Sequence, residues 1–196
     1  MARIIGGAGR GRRLVAPKGR ATRPSSARVR QTLFDILAKL LPGCRFLDLF
    51  AGGGGVGLEA LSRGASAVVL VERDAAAVAA LRRNAAALAG AGGEARVYRQ
   101  EALTAVAGLA ARAERFDVVF LDPPYSAEYE PLLAAAETLV AEAGVAVAEH
   151  FHKKRLPETI GRLRQTRSVK VGDHRLTFYA RTPSEAGAGG AARGVE

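Results

Sequence analysis

The 196-residue chain has one cysteine, Cys44, and no tryptophan, and aromatic residues make up only 6% of it. A single cysteine excludes an internal disulfide framework and any zinc site built from several thiolates. The three histidines, His150, His152 and His174, have no partners at ligand spacing, so no metal is expected. No apolar run reaches the roughly 18 residues that a membrane span requires. The Arg-rich first 15 residues lack the apolar stretch of a secretory signal. These absences point to a cytoplasmic, metal-free enzyme with no membrane partner, and a monomer suits its size. What is present is enough for a core: 48% of residues are hydrophobic. The length predicts one domain with a small appendage.

Acidic residues are nearly missing from one end. Residues 1–45 hold eleven Lys or Arg and a single acid, Asp35, whereas residues 46–196 hold eighteen charges of each sign. The whole net charge of +10 therefore resides in the first segment. Arg10, Arg12, Arg13, Lys18, Arg20, Arg23, Arg28 and Arg30 are concentrated there. Such asymmetry is the footprint of a nucleic-acid-binding arm rather than of a generally basic surface. A weaker basic cluster over 153–175 is read equally well as a solvated face.

Residues 3–6 and 13–16 predict two short strands joined by a Gly- and Arg-rich tip, a β-hairpin. After the loop Thr22–Ser26, where Ser25 or Ser26 can cap a helix, Val29, Leu33, Ile36, Leu37 and Leu40 fall at helical spacing. Arg28 and Arg30 near its start are placed facing the ligand cleft. Strands at 46–50, 67–72, 95–99, 117–121 and 144–149 then alternate with helices at 57–63, 74–89, 102–112 and 129–141. Strands at 166–171 and 174–181 follow, close enough to form an antiparallel hairpin. The fold class is α/β, a mostly parallel seven-stranded sheet with an antiparallel C-terminal hairpin and a small N-terminal β-hairpin extension. The expected division is a basic extension over 1–24, a main domain over 25–183 and a disordered tail over 184–196.

The most informative motif is Asp122-Pro123-Pro124-Tyr125, directly after the apolar run Phe116–Leu121. At a strand end, Asp122 can accept a hydrogen bond from an exocyclic amine. The rigid prolines hold the Pro123 carbonyl for a second, and Tyr125 can stack on a ring. This is the equipment for methylating a nucleobase amine. Alone, the tetrad is also compatible with a plain Pro-rich turn.

A second motif, Phe46–Glu59, is an apolar run leading through Asp48, Phe50 and Ala51 into Gly52-Gly53-Gly54-Gly55 and then a helix starting at Gly57. Four consecutive glycines cost backbone entropy without packing anything, so the turn exists for a ligand. The next strand ends in Glu72, where a carboxylate can accept both hydroxyls of a ribose. Gly52, Gly54 and Gly57 also satisfy the dinucleotide pattern, with Glu72 at about the spacing an NAD site has. Asp48 argues against that reading. An acid before the turn suits a cationic amino group rather than a pyrophosphate, as S-adenosylmethionine provides. Hydride transfer would also have no use for the amine-gripping tetrad.

With these residues in view, the chain resembles the bacterial small-subunit (16S) ribosomal RNA guanine-N2 methyltransferases of the D type. The likeness runs from Arg3 to Arg181. It rests on Arg3-Ile4-Ile5-Gly6-Gly7 with Arg10-Gly11-Arg12, and on Arg23-Pro24-Ser25 with Arg28-Val29-Arg30 and Thr32-Leu33-Phe34. It extends through Leu47-Asp48 to Ala65 and the Asp122 tetrad. The resemblance implies a Rossmann-like class I methyltransferase domain and S-adenosylmethionine as cofactor. It implies methylation of the exocyclic N2 amine of one guanine in 16S rRNA of the small ribosomal subunit, free or within an assembly intermediate. Its implied cofactor contacts are Asp48, Phe50, Ala51, Gly52, Gly54, Gly57, Glu72 and Arg73, an adenine pocket at Glu101 and Ala102, and a closing loop with Arg23 and Ser25. Asp122, Pro123 and Tyr125 would be catalytic, and Arg10, Arg12, Arg13, Arg28 and Arg30 would meet RNA. Two departures stand out: Ala27 and Gln31 replace acids common in the family, and Gly53-Gly54-Gly55 replaces a serine-containing turn. The same tetrad serves adenine N6 methylation of DNA or RNA, and a non-catalytic assembly factor keeping the fold is a further alternative.

Overall fold

In the computed structural model, residues 2–17, 26–90 and 92–182 are described. The predicted tail and the Arg23 and Ser25 assignments lie outside them. In chain order the elements are α1 (Ala27–Leu37), β1 (Arg45–Asp48), α2 (Gly57–Ser62), β2 (Ala67–Glu72), α3 (Ala75–Ala87), β3 (Glu94–Arg99) and α4 (Ala102–Ala111). Then come β4 (Phe116–Leu121), α5 (Tyr129–Glu137), β5 (Val140–Phe151), β6 (Thr159–Ile160), β7 (Leu163–Val171) and β8 (His174–Arg181). The strands form one eight-stranded sheet in the order β3-β2-β1-β4-β5-β8-β7-β6. The first five in that order pair in parallel, and β8, β7 and β6 continue the sheet antiparallel.

The central strands read as continuous apolar runs because both faces of the sheet are covered. Along β1, Phe46 points into one core with Val68, Leu70, Val118 and Phe120, against α1, α2 and α3. Leu47 and Leu49 point into the other, with Val69, Val71, Val119 and Leu121, against α4 and α5. Fully burying a side chain of this size is worth roughly 1.5–3 kcal/mol, so a charge at Leu47 would break the second core. Helix starts follow cap chemistry. Ser26 Oγ accepts from Val29 N (3.2 Å) at α1, and Asp74 Oδ1 accepts from Ala77 N (2.8 Å) at α3.

Three details depart from the sequence reading. Helix α5 ends at Glu137 and β5 already begins at Val140. The helical pattern in the sequence runs past this point, but the chain joins β4 early, at Phe116↔Val140, before an irregularity that lets Gly144 lie against Phe116 and Asp117. Strand β6 was not anticipated: it is two residues long and has no periodicity to read. The predicted N-terminal hairpin pairs only through one bridge, Arg3↔Arg13, with Ile4 N donating to Arg12 O and Leu14 N to Ala2 O. Instead of projecting, this loop packs on the main sheet's helices. Ile4 and Leu14 are buried, and Ile5 N and Gly6 N each donate to the buried Glu59 carboxylate at 2.7 Å.

Candidate active site

The chain lays down β1, β2 and β3 outward in one direction, then returns to place β4 on the other side of β1. A crevice opens at such a switch in strand order, above the carboxyl ends of the strands. Adjacent strands β2, β1 and β4 bring Glu72, Asp48 and Asp122 to that rim.

Asp48 is 1% exposed. Its Oδ2 accepts from Gly57 N (3.1 Å) and its Oδ1 from Phe50 N (3.3 Å), so the carboxylate spans the glycine turn from below. Burial pushes its carboxyl up to about 7; the two amide hydrogen bonds oppose the shift, and the charges of Asp122 and Glu72 reinforce it. The sequence reading set Asp48 opposite a ligand's amino group. In the structure each of its oxygens accepts one amide of the turn, so Asp48 braces the turn while each oxygen retains acceptor capacity. Gly57 is required for this arrangement. A Cβ there would press into Leu70 and come within 3.3 Å of Asp48 Cβ.

Glu72 is half-buried and fixes the other side of the turn. Its Oε2 accepts from Gly52 N (2.9 Å) and its Oε1 from Asp74 N (2.8 Å). A carboxylate has about four lone-pair sites, so each oxygen retains acceptor capacity for a hydroxyl. Gly52 (φ +52°) and Gly54 (φ +90°) both adopt the left-handed backbone. A Cβ on Gly54 would collide with Leu58 and Leu81, whereas one on Gly52 would meet nothing within 4 Å. The turn is thus packed on its inner side and open at Gly52. At the outer rim, exposed Arg73 and Glu101 pair at 3.4 Å, and Ala102 begins α4 buried beneath them. Phe50 is half-buried and Ala51 buried.

The tetrad follows β4 directly. Asp122 is half-buried and Pro123 buried, whereas Tyr125 is 58% exposed. The Tyr125 ring stands edge-on to Phe151 (6.4 Å, 84°) and tilted to His174 (6.4 Å, 47°). Behind them, His174 Nδ1 lies 2.8 Å from Oε1 of the buried Glu149. Sequence reading missed Phe151 and His174 in this group. They are brought together by the β5–β8 register Phe151↔His174, which no local motif announces.

The basic residues divide. Arg10, Arg12, Arg13 and Arg28 are exposed. Arg30 is not: it is 3% exposed and donates to Gly55 O (3.2 Å) and Arg3 O (3.1 Å). Its assignment to RNA is therefore corrected. At the fourth position of α1 it falls on the apolar face with Val29 and Leu33, so it points inward, and burial pulls its pKa down.

Residues 2–180 match the family described as "Conserved hypothetical protein 95". The chain belongs to this family. It is 39% identical over 183 residues to YlbH of Bacillus subtilis strain 168, provisionally named an rRNA methyltransferase, covering 90% of this chain and 97% of that protein. It is 44% identical over 123 residues to the ribosomal RNA small subunit methyltransferase D of Escherichia coli K12, covering 63% of this chain and 60% of the other. Among solved structures, the E. coli protein yhhF, provisionally named a methyltransferase, superposes with a TM-score of 0.80 at 33% identity. That match covers 93% of this chain and 99% of the other.

Proposed function

We propose that the chain is an S-adenosylmethionine-dependent methyltransferase acting on the exocyclic N2 amine of a guanine in 16S rRNA. One observation carries the reading: the Asp122-Pro123-Pro124-Tyr125 tetrad stands on the strand beside the carboxylate-braced glycine turn, so an amine site and a cofactor site share one crevice. The rRNA of the small subunit rests on the E. coli relative's name, and the guanine rests on the resemblance that the sequence motifs carry.

The residues fit the cofactor. Glu72 and Asp122 make the crevice floor acidic, and Asp48 between them ionises more readily beside a cation, which suits a cationic ligand better than a pyrophosphate. The open side of Gly52 admits close approach, and Glu72 has acceptor capacity for ribose hydroxyls. Arg73, Glu101 and Ala102 border the position left for a purine. When bound, S-adenosylmethionine supplies a methyl group already activated as an electrophile.

The protein's task is then to prepare a poor nucleophile. The lone pair of the guanine amine is delocalised into its ring. Hydrogen bonds from the two N–H groups to the Asp122 carboxylate and the Pro123 carbonyl localise that pair and fix its direction. Catalysis is mainly positioning and electrostatics. Asp122 receives the proton the amine releases, directly or through water. Tyr125, exposed and loosely packed, supplies the face on which an unstacked base rests. Arg10, Arg12, Arg13 and Arg28 engage rRNA phosphates.

The test is methyl transfer from labelled S-adenosylmethionine to small ribosomal subunits lacking the modification, with the nucleoside identified by mass spectrometry. N2-methylguanosine, absent with Asp122→Ala, is the expected product. N6-methyladenosine would keep the mechanism and overturn the substrate. Cofactor binding without product on subunits or free rRNA would favour an assembly factor.

A further inference from the structure

Two buried polar side chains outside the carboxylate group have a shared geometry that the reaction does not explain. Arg30 joins Gly55 O to Arg3 O. Asn84, 2% exposed on α3, donates from Nδ2 to Gly53 O (2.8 Å) and Val15 O (3.0 Å) and accepts at Oδ1 from Val15 N (2.8 Å). Each side chain therefore bonds the glycine turn at one end and the N-terminal segment at the other. Arg3 and Val15 flank the loop bearing Arg10, Arg12 and Arg13. Anchoring that loop would not in itself require these contacts. Glu59 already accepts from Ile5 N and Gly6 N, and Ser62 O and Oγ accept from Ala8 N and Gly9 N at 2.8 Å.

We propose that Arg30 and Asn84 are positioning residues that couple the glycine turn to the basic N-terminal loop, so that cofactor binding and rRNA binding strengthen each other. The inference rests on the functional reading above. The turn bends through two left-handed glycines, and its carbonyls at Gly53 and Gly55 are the ones Asn84 and Arg30 hold. A ligand that orders the turn fixes those carbonyls, hence the two side chains, hence both ends of the loop. Whatever ordering the first ligand has completed, the second need not repeat. Linkage makes the effect reciprocal.

The experiment uses the full chain, S-adenosylmethionine and deproteinised 16S rRNA. Each ligand's Kd is measured with and without the other, and amide exchange at Val15 is followed with S-adenosylmethionine alone. In the unaltered protein each ligand should tighten the other by about fivefold or more, the lower end of ordinary coupling, and the cofactor should slow exchange at Val15. Asn84→Asp keeps an acceptor for Val15 N–H but loses both donors. Arg30→Lys keeps the charge but cannot span two carbonyls. In both variants, each ligand should still bind, mutual tightening should fall below about twofold, and Val15 exchange should cease to respond. A merely structural role would lower Tm and leave the coupling factor intact, and that result overturns the proposal. So does an unaltered protein that binds both ligands without mutual effect. If it binds neither the deproteinised rRNA nor small subunits lacking the modification, the functional reading itself fails, and the coupling with it; if it binds only subunits, the same Kd and exchange measurements on subunits decide the coupling.

Discussion

The two sides of the crevice are built by opposite means. On the cofactor side, every carboxylate oxygen of Asp48 and Glu72 already accepts a backbone amide, and Gly54 and Gly57 are packed too tightly to admit a methyl group. On the base side, Tyr125 is more than half exposed and touches its aromatic neighbours only at 6.4 Å. The first surface is shaped before its ligand arrives, and what is left for the ligand to order is the open turn at Gly52 with the Gly53 and Gly55 carbonyls that Asn84 and Arg30 hold. The second is left open for a base that a large RNA must deliver. A small invariant ligand rewards preorganisation, whereas a nucleotide swung out of a folded RNA needs a platform with access.

The sharpest way to break this contrast is Asp122→Ala, which lies at the border between the two sides. Loss of its carboxylate should lower kcat by about a thousandfold, the scale of a lost acid–base and orienting group. Cofactor affinity, measured by calorimetry, should survive. A matching loss of cofactor affinity would move Asp122 to the preorganised side. Tyr125→Ala comes next. Stacking of one base on an aromatic ring is worth about 1–3 kcal/mol, so kcat/KM for rRNA should fall roughly ten- to a hundredfold. Because the ring is exposed, Tm should scarcely change; a large drop would make Tyr125 a packing residue.

Asp48 tests the preorganised side through pH. Its carboxyl is held at about 7 against an ordinary 3.8, so it favours the protonated form in the ligand-free fold. The stability it contributes is full below pH 3.8 and is lost as pH rises through about 7. Cofactor binding has the opposite sign, because a cation favours the ionised carboxylate. Affinity for S-adenosylmethionine should therefore rise by up to about tenfold per pH unit below 7 and level off above it. In Asp48→Asn that slope should disappear. A slope that persists would assign the proton to another group.

Much of the preorganised side was legible in the sequence because local patterns encode it. Strand β2 runs over the predicted residues 67–72, and Asp48, the glycines and Glu72 lie where apolar runs end. Asp122, Pro123 and Tyr125 were equally visible as a contiguous motif. The rest depends on pairing between distant segments. Phe151 and His174 join Tyr125 only through the β5–β8 register, and Glu59 and Asn84 meet the N-terminal loop across more than 50 residues of chain. Arg30 was misread because charge alone does not tell an RNA contact from an internal strut. Its spacing from Val29, Leu33 and Leu37 on α1 was the available signal. A lone Asn in the alanine-rich α3 was a comparable signal for Asn84.

That distinction among arginines gives the smallest expected effect. Replacing Arg10, Arg12 and Arg13 with Gln removes charges that are all exposed, so Tm should shift little. Each lost phosphate contact should reduce the slope of log K against log salt by about 0.7 on single-stranded RNA and about 0.9 on a duplex. The triple variant should therefore flatten the rRNA salt dependence by roughly two to three units, while cofactor affinity without RNA is retained. Arg28→Gln should remove a single such increment. Arg30→Gln should do the reverse, lowering Tm and leaving the salt slope in place, because its guanidinium is committed to Gly55 O and Arg3 O. An unchanged slope in the triple variant would detach the basic loop from RNA. A slope lost in Arg30→Gln with Tm intact would return Arg30 to the surface.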